Sequence, residues 1–135
     1  MISYTNSLDV ITPQQLAGFF VGWPNPPAPA THLKLLRGSD AVELAIDGDI
    51  DRVVGYIAAL TDDVMTLHIS FLEVLPAYQR RGIGSQLVRR LFRRFDHLYG
   101  VDLSCDEDVQ PFYEKLGMTK ALGMNLRQHG RQSGA

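Results

Sequence analysis

A chain of 135 residues with 45% apolar content is long enough to bury one sizeable core and too short to divide into two domains of ordinary size. Charged residues make up 21% and the formal net charge is −2, a balance that calls for neither nucleic acid nor an anionic membrane and directs attention to a small molecule or another protein. The single cysteine, Cys105, excludes an internal disulfide; the start of the chain lacks the basic and apolar runs of a secretory leader, and no apolar stretch reaches the roughly 18 to 20 residues that cross a bilayer, so a reducing cytoplasm is the expected location.

Ile2 to Thr5 reads as a short strand. Thr12-Pro13-Gln14-Gln15 announces a helix, with Thr12 as N-cap, Pro13 in the first turn and Gln15 closing a capping box; it is expected to run through Leu16, Phe19 and Phe20. Four prolines between Pro24 and Pro29 make residues 22–30 a stiff, irregular loop. Thr31 is placed to cap a second helix carrying Leu33, Leu35 and Leu36, with Gly38 to end it.

From Ala41 the period becomes two: Val42, Leu44 and Ile46 alternate with Ala41, Glu43 and Ala45, and Asp47-Gly48-Asp49 supplies a hairpin turn. A strand returns over Val53 to Leu60, Thr61-Asp62-Asp63 turns again, and Val64 to Val74 forms a long strand rich in β-branched and aromatic residues. Pro76 ends this antiparallel meander. The helix from Gly82 carries Ile83, Leu87, Leu91 and Phe95 on one face. Val101 to Cys105 is expected as a strand, Val109 to Leu116 as a helix, and Gly117 to Leu126 as a last strand. The expected organisation is one domain over residues 1–128 with a flexible polar tail over 129–135.

Chemistry is concentrated in Gln79-Arg80-Arg81-Gly82-Ile83-Gly84-Ser85, between the long strand and the following helix. Two glycines at a helix start leave several N–H groups unpaired beside the positive end of the helix dipole, which makes an anion cradle. Arg80 and Arg81 add formal charge, which suits a pyrophosphate better than a lone carboxylate. The lysine and hydroxyl residue of a P-loop are missing. A dinucleotide fingerprint would need a third glycine where Leu87 stands, and a parallel context that the meander contradicts.

The stretch Leu72-Glu73-Val74-Leu75-Pro76-Ala77-Tyr78-Gln79-Arg80-Arg81-Gly82-Ile83-Gly84 resembles the signature of the GNAT superfamily of acyl-CoA-dependent N-acetyltransferases: Gln/Arg-x-x-Gly-x-Gly/Ala, opening the helix after a strand that ends in Val-x-Pro. A second block, Asp106-Glu107-Asp108-Val109-Gln110-Pro111-Phe112-Tyr113-Glu114-Lys115-Leu116-Gly117-Met118, is similar to the family's Asn-x-x-Ala-x-x-Phe-Tyr-x-x-x-Gly-Phe. The match is specific over residues 64–118 and architectural over the first 60. The resemblance implies an α/β (α+β) GNAT fold: a mixed, mostly antiparallel central sheet of about six to seven strands with about four helices, and strands splayed apart at the acetyl-CoA site.

It also implies acetyl-CoA as cosubstrate, no metal, and acetyl transfer to a primary amine by direct attack in a ternary complex. The backbone of Leu72, Glu73 and Val74 would hold the pantetheine arm, and Gln79, Arg80, Arg81, Gly82, Ile83, Gly84 and Ser85 would hold the pyrophosphate. Asp106 stands where the family has asparagine; it keeps an acceptor and loses the amide donors, so a contact with the pantetheine arm is weakened. Tyr113 takes the position of the family's general acid. His68 lies at the spacing from Gln79 where some relatives carry a catalytic base, and Glu73 is a second candidate base, acting through water, with a contribution of backbone alone as the other reading.

Val101 stands where a subgroup acting on protein N-termini has glutamate, which argues against that subgroup. Cys105 reads as a small apolar residue. Arg89, Arg90, Arg93 and Arg94 read as a solvated helix face, with the 3′-phosphate of CoA as the alternative. Phe19, Phe20 and Trp23, beside the proline-rich loop, are expected to wall the acceptor, a small amine. Protein lysine acetylation and a non-catalytic acyl-CoA sensor are the alternatives, and a homodimer is left open.

Overall fold

The computed structural model describes residues 1–135. Five strands form one sheet in the order β1 (Ile2–Thr5), β2 (Ala41–Asp47), β3 (Arg52–Thr61), β4 (Thr66–Val74) and β5 (Gly100–Asp102). The first three junctions are antiparallel and the last is parallel. Three helices accompany the sheet: α1 (Pro29–Gly38), α2 (Ile83–Arg94) and α3 (Gln110–Glu114). The mixed α/β class and the meander agree with expectation, with fewer strands and helices than the six to seven and four implied by the resemblance.

Successive residues of β3 serve opposite faces of the sheet. Gly55 meets α2: a Cβ there would lie 3.2 Å from Ile83, 3.3 Å from Leu87 and 3.3 Å from Val74, so glycine permits the close approach of helix to sheet. Tyr56 meets the other layer, where the ring of Phe19 stands edge-on at 5.1 Å and that of His32 on α1 at 4.5 Å. The fully buried Leu44, Val53, Val54, Ile57, Leu87 and Leu91 form the centre of the core.

Several elements are shorter than their sequence pattern. The turn at Pro13–Leu16 is a single 3-10 turn, although the Thr12 amide does donate to Gln15 Oε1 at 2.8 Å. The helix stops because Ala17 is extended, Gly18 has φ 93°, and Phe20 has φ 62°. α1 begins at Pro29, two residues before the expected cap Thr31, since proline at the first helical position needs no N–H partner. β4 begins at Thr66 rather than Val64, because Asp62 Oδ1 takes the amides of Val64, Met65 and Thr66 at 2.9, 2.8 and 3.1 Å. Those three bonds also hold the Asp62 carboxyl below its ordinary value.

The expected strand over Gly117 to Leu126 does not form; this segment has no secondary structure. The terminal residues make a 3-10 turn at His129–Arg131, and Asn25 donates its amide to Gln132 Oε1 at 3.0 Å.

Candidate active site

β4 and β5 are paired only over Thr66–His68 with Gly100–Asp102. Immediately beyond, the register with β3 shifts: Ala59 faces Ile69 and Ala58 faces Phe71, leaving Ser70 as an extra residue. Such a bulge bends and twists its strand, and β5 stops at the same level. The outer edge of β4 from Ile69 to Val74 is therefore without a strand partner. Unpaired strand amides and carbonyls recruit another extended chain. The expected β5 over Val101 to Cys105 shrinks to three residues for the same reason.

At the end of β4, Gln79 donates its side-chain amide to the Val74 carbonyl at 3.0 Å and braces the turn. Arg80 (φ 64°) and Gly82 (φ 80°) are both left-handed, and Gly82 is the N-cap of α2. The first amide of the following helix to be bonded within the protein is that of Gln86, to the Gly82 carbonyl at 3.0 Å. The amides of Ile83, Gly84 and Ser85 are left for a ligand at the positive end of the helix. A left-handed residue next to helical ones gathers N–H groups into an anion-binding concavity, and the left-handed φ required at residue 82 suits glycine. Gly84 is used differently: a Cβ there would lie 3.4 Å from the Phe112 ring, so it docks α3 against α2. Arg81 turns back over the Tyr78 ring, 5.1 Å from its centroid.

A cleft of about 1110 Å³ opens beside β5, and His68, Asp102, Cys105 and Tyr113 all line it. His68 Nδ1 lies 2.6 Å from Asp102 Oδ1, at the last rung of the parallel ladder. With Nδ1–H given to the carboxylate, Nε2 is left as a proton acceptor. Tyr113 is buried, and burial together with the neighbouring Cys105 pushes its phenol up to about 12. It stays protonated at neutral pH. Burial, then Asp106 and Asp108, push the Cys105 thiol up as well, away from the thiolate. Asp106 caps the 3-10 turn Glu107–Val109, its carbonyl accepting from Val109 N at 3.0 Å.

Glu73 does not line this cleft. Its carboxylate accepts the amides of Phe20 at 2.8 Å and Val21 at 3.2 Å, which holds the loop in its left-handed course. That loop carries the expected aromatic residues together: Phe20 and Trp23 rings are 4.9 Å apart, and Phe71 of β4 stands 6.0 Å from the first and 6.3 Å from the second. Phe19 and Phe20 are buried, whereas Trp23 is partly exposed.

Three features escape a reading of residue order. Asp102 is 34 residues from His68 and meets it only through the parallel register. Phe71 joins the aromatic wall through the bulge. His32 is 1% exposed among Phe19, Phe20 and Tyr56, with no partner for either ring nitrogen; desolvation lowers it to about 4.

The arginine row also divides. Arg90 Nε donates to Glu43 Oε1 at 2.9 Å, and Arg94 Nη1 donates to Glu43 Oε2 and, at 3.0 Å, to the Val42 carbonyl. Glu43 is 1% exposed. Arg89 and Arg93 remain on the exposed side, so only half of the row is a solvated face.

The candidate site thus combines free amides at a helix start, a strand edge open beside them and a cleft holding a histidine–carboxylate pair. Residues 9–118 match the acetyltransferase (GNAT) family, and the chain belongs to that family. A solved structure of a proposed acetyltransferase from Deinococcus radiodurans R1 is 43% identical, with a TM-score of 0.94 over 98% of this chain and 92% of that one. A GNAT-family acetyltransferase from Streptococcus pneumoniae TIGR4 is 29% identical, with a TM-score of 0.76 over 95% and 98% of the two chains. Among curated proteins, the GCN5-related N-acetyltransferase 3 of Arabidopsis thaliana chloroplasts is 37% identical over 68 residues, which is 49% of this chain and only 29% of that protein's length. No helix is long and apolar enough to cross a membrane.

Proposed function

We propose that this chain transfers the acetyl group of acetyl-CoA to a primary amine, a small amine in preference to a protein lysine, with both substrates bound together. The observation that carries the proposal is the set of free amides at the start of α2, just after the left-handed Arg80 and Gly82, downstream of a strand edge that lacks its neighbour. In this reading the backbone of Leu72, Glu73 and Val74 holds the pantetheine arm, and residues 79–85 hold the pyrophosphate. Asp106 and Tyr113 flank the far side. The coenzyme supplies the acetyl group as an activated thioester.

An alkylammonium must lose a proton before it can attack, and its pKa near 10 makes a base useful at neutral pH. His68 accepts that proton at Nε2 while Asp102 holds Nδ1. Tyr113, kept protonated by burial, offers its O–H as the donor. Glu73 holds the loop that carries Trp23, so that Phe19, Phe20 and Trp23 form the apolar wall for the carbon part of the amine. Two amides already occupy one lone-pair site on each Glu73 oxygen, about half of what a carboxylate offers, which ties the side chain to the loop.

Calorimetry with CoA and acetyl-CoA, followed by turnover on a panel of small amines and lysine peptides, tests the proposal. His68→Ala and Tyr113→Phe are expected to lower kcat by about 100-fold or more while leaving coenzyme affinity in place. Failure to bind either form of the coenzyme ends the reading. Turnover confined to lysine peptides overturns the small-amine assignment.

A further inference from the structure

Tyr78 is the last residue of the 3-10 turn Pro76–Tyr78 that follows β4, and it stands just before the segment that opens α2. Its hydroxyl donates to Asp47 Oδ2 at 2.6 Å, a contact between residues 31 apart in the chain. Asp47 ends β2, its side chain is 14% exposed, and its other oxygen takes the Asp49 amide of the hairpin turn at 3.0 Å. The meander itself therefore fixes the carboxylate, and through it Tyr78 is tied to the sheet. Both groups register the tie: the phenol is raised, first by its bond to Asp47, and the carboxyl is lowered, first by Tyr78. The ring is accordingly neutral at neutral pH.

The face of this ring carries a charge. The Arg81 guanidinium lies over it, 5.1 Å from the centroid. Arg81 is exposed and takes part in none of the chain's ion pairs, unlike Arg90 and Arg94 on α2, which Glu43 holds. A guanidinium stacks through its flat face and donates through its edge. The contact with Tyr78 thus restrains the side chain without consuming its N–H donors. A free arginine loses rotamer freedom when it grips a ligand, whereas a stacked one has given up part of that freedom beforehand. Arg81 is also the residue before Gly82, the N-cap of α2, so the restrained charge belongs to the turn whose amides are free.

We propose that Asp47 and Tyr78 are positioning residues for the coenzyme, holding the Arg81 guanidinium with its edge toward the diphosphate of acyl-CoA. Arg81 touches the diphosphate, Tyr78 acts through Arg81, and Asp47 acts through Tyr78. A carboxylate of the β2–β3 hairpin in this way sets the charge at the start of α2. The inference rests on the coenzyme reading given above and adds to it a path from the far end of the sheet. The order of the path fixes the order of effects: largest at Arg81, smallest at Asp47, and not additive along it.

Calorimetric titration of CoA into the full chain and its variants, each checked for fold by far-UV circular dichroism, tests that order. Arg81→Gln is expected to weaken binding about tenfold or more at low salt. Tyr78→Leu is expected to cost about fivefold, and Tyr78→Phe, which keeps the ring and loses the bond to Asp47, about two- to threefold. Asp47→Ala should match Tyr78→Phe, and the two together should lose no more than either alone. In the Arg81→Gln background, Tyr78→Leu should have no further effect; a merely structural tyrosine would weaken binding whether or not Arg81 is present. CoA lacking its 3′-phosphate should lose the same factors, since it keeps the diphosphate. Full additivity of Tyr78→Leu with Arg81→Gln overturns the inference and leaves the coenzyme reading standing. So do a loss confined to CoA with its 3′-phosphate and titrations that the Tyr78 variants leave unchanged. A wild-type chain that binds no CoA overturns both.

Discussion

The two ends of α2 meet oxygen in opposite ways. In its second half, Arg90 and Arg94 commit their donors to the buried carboxylate of Glu43 and the Val42 carbonyl. At its first turn no side chain caps the helix, Gly82 and Arg80 adopt left-handed backbone, and the amides up to Ser85 are left over. By charge count the arginine-rich half is the stronger anion site, but two of its four arginines, Arg90 and Arg94, are already committed to Glu43 within the fold. The uncharged first turn carries the donors that a ligand can use. His32 is a third situation, a polar ring buried without a partner, and there the fold carries a cost rather than a function.

The largest effect that tests this contrast is on stability. Arg90→Ala with Arg94→Ala leaves Glu43 buried and unpaired, and is expected to destabilise the chain by about 3–5 kcal/mol, measured by urea unfolding. If the double variant unfolds at the wild-type midpoint, the pairing with Glu43 is not what occupies these arginines.

Next comes acid. His32 lies at about 4 in the folded chain against 6.5 ordinarily, so the unfolded state binds more protons in that interval. Its contribution is complete above pH 6.5 and is lost as pH falls towards 4, by about 3 kcal/mol in all. Asp47 and Asp62, whose carboxyls are held below the ordinary 3.8 by hydrogen bonds, lose theirs at still lower pH. Urea midpoints compared at pH 7 and 4.5 should fall for the wild type and much less for His32→Leu; equal slopes would assign the acid sensitivity elsewhere.

At the first turn the expected change is in binding. A Cβ at Gly82 meets nothing within 4 Å, so Gly82→Val acts only through the φ of 80° that a β-branched residue resists. Coenzyme affinity should drop at least about tenfold, or about 1.4 kcal/mol, with helix content retained; unchanged affinity would mean that these amides do not carry the pyrophosphate. The smallest effect is the control on the same helix. Arg89→Ala with Arg93→Ala should change stability by less than about 0.5 kcal/mol per site and leave coenzyme titrations superimposable on the wild type. A clear loss of affinity would return the 3′-phosphate to this face.

Much of the candidate site is legible in the residue order because it is local. Gly82 and Gly84 announce a side-chain-free turn into a helix, Val74-Leu75-Pro76 ends the preceding strand, and Phe112-Tyr113 stands at a fixed distance downstream. The aromatic trio Phe19, Phe20 and Trp23 is likewise a local cluster beside a proline-rich loop. Asp102 is not legible, because its pairing with His68 depends on the register of two strands 34 residues apart. Nor is the task of Glu73, whose strand position suggests water chemistry while its oxygens hold the amides of Phe20 and Val21. The arginine row looks uniform in a helical projection, and only the buried Glu43 of β2 separates its two pairs.

Residue order by itself determined the antiparallel meander, the amphipathic α2 and the glycine turn at its start, since each follows from period, turn chemistry and glycine freedom within a few residues. The tertiary structure decided where strands end. The bulge at Ser70 bends β4 away from β5, the extended Ala17 and left-handed Gly18 end the first helical turn, and Gly117 to Leu126 stays unpaired although a strand is expected there. Backbone pairing needs a partner at the right place, and a local pattern supplies only one side of that pair.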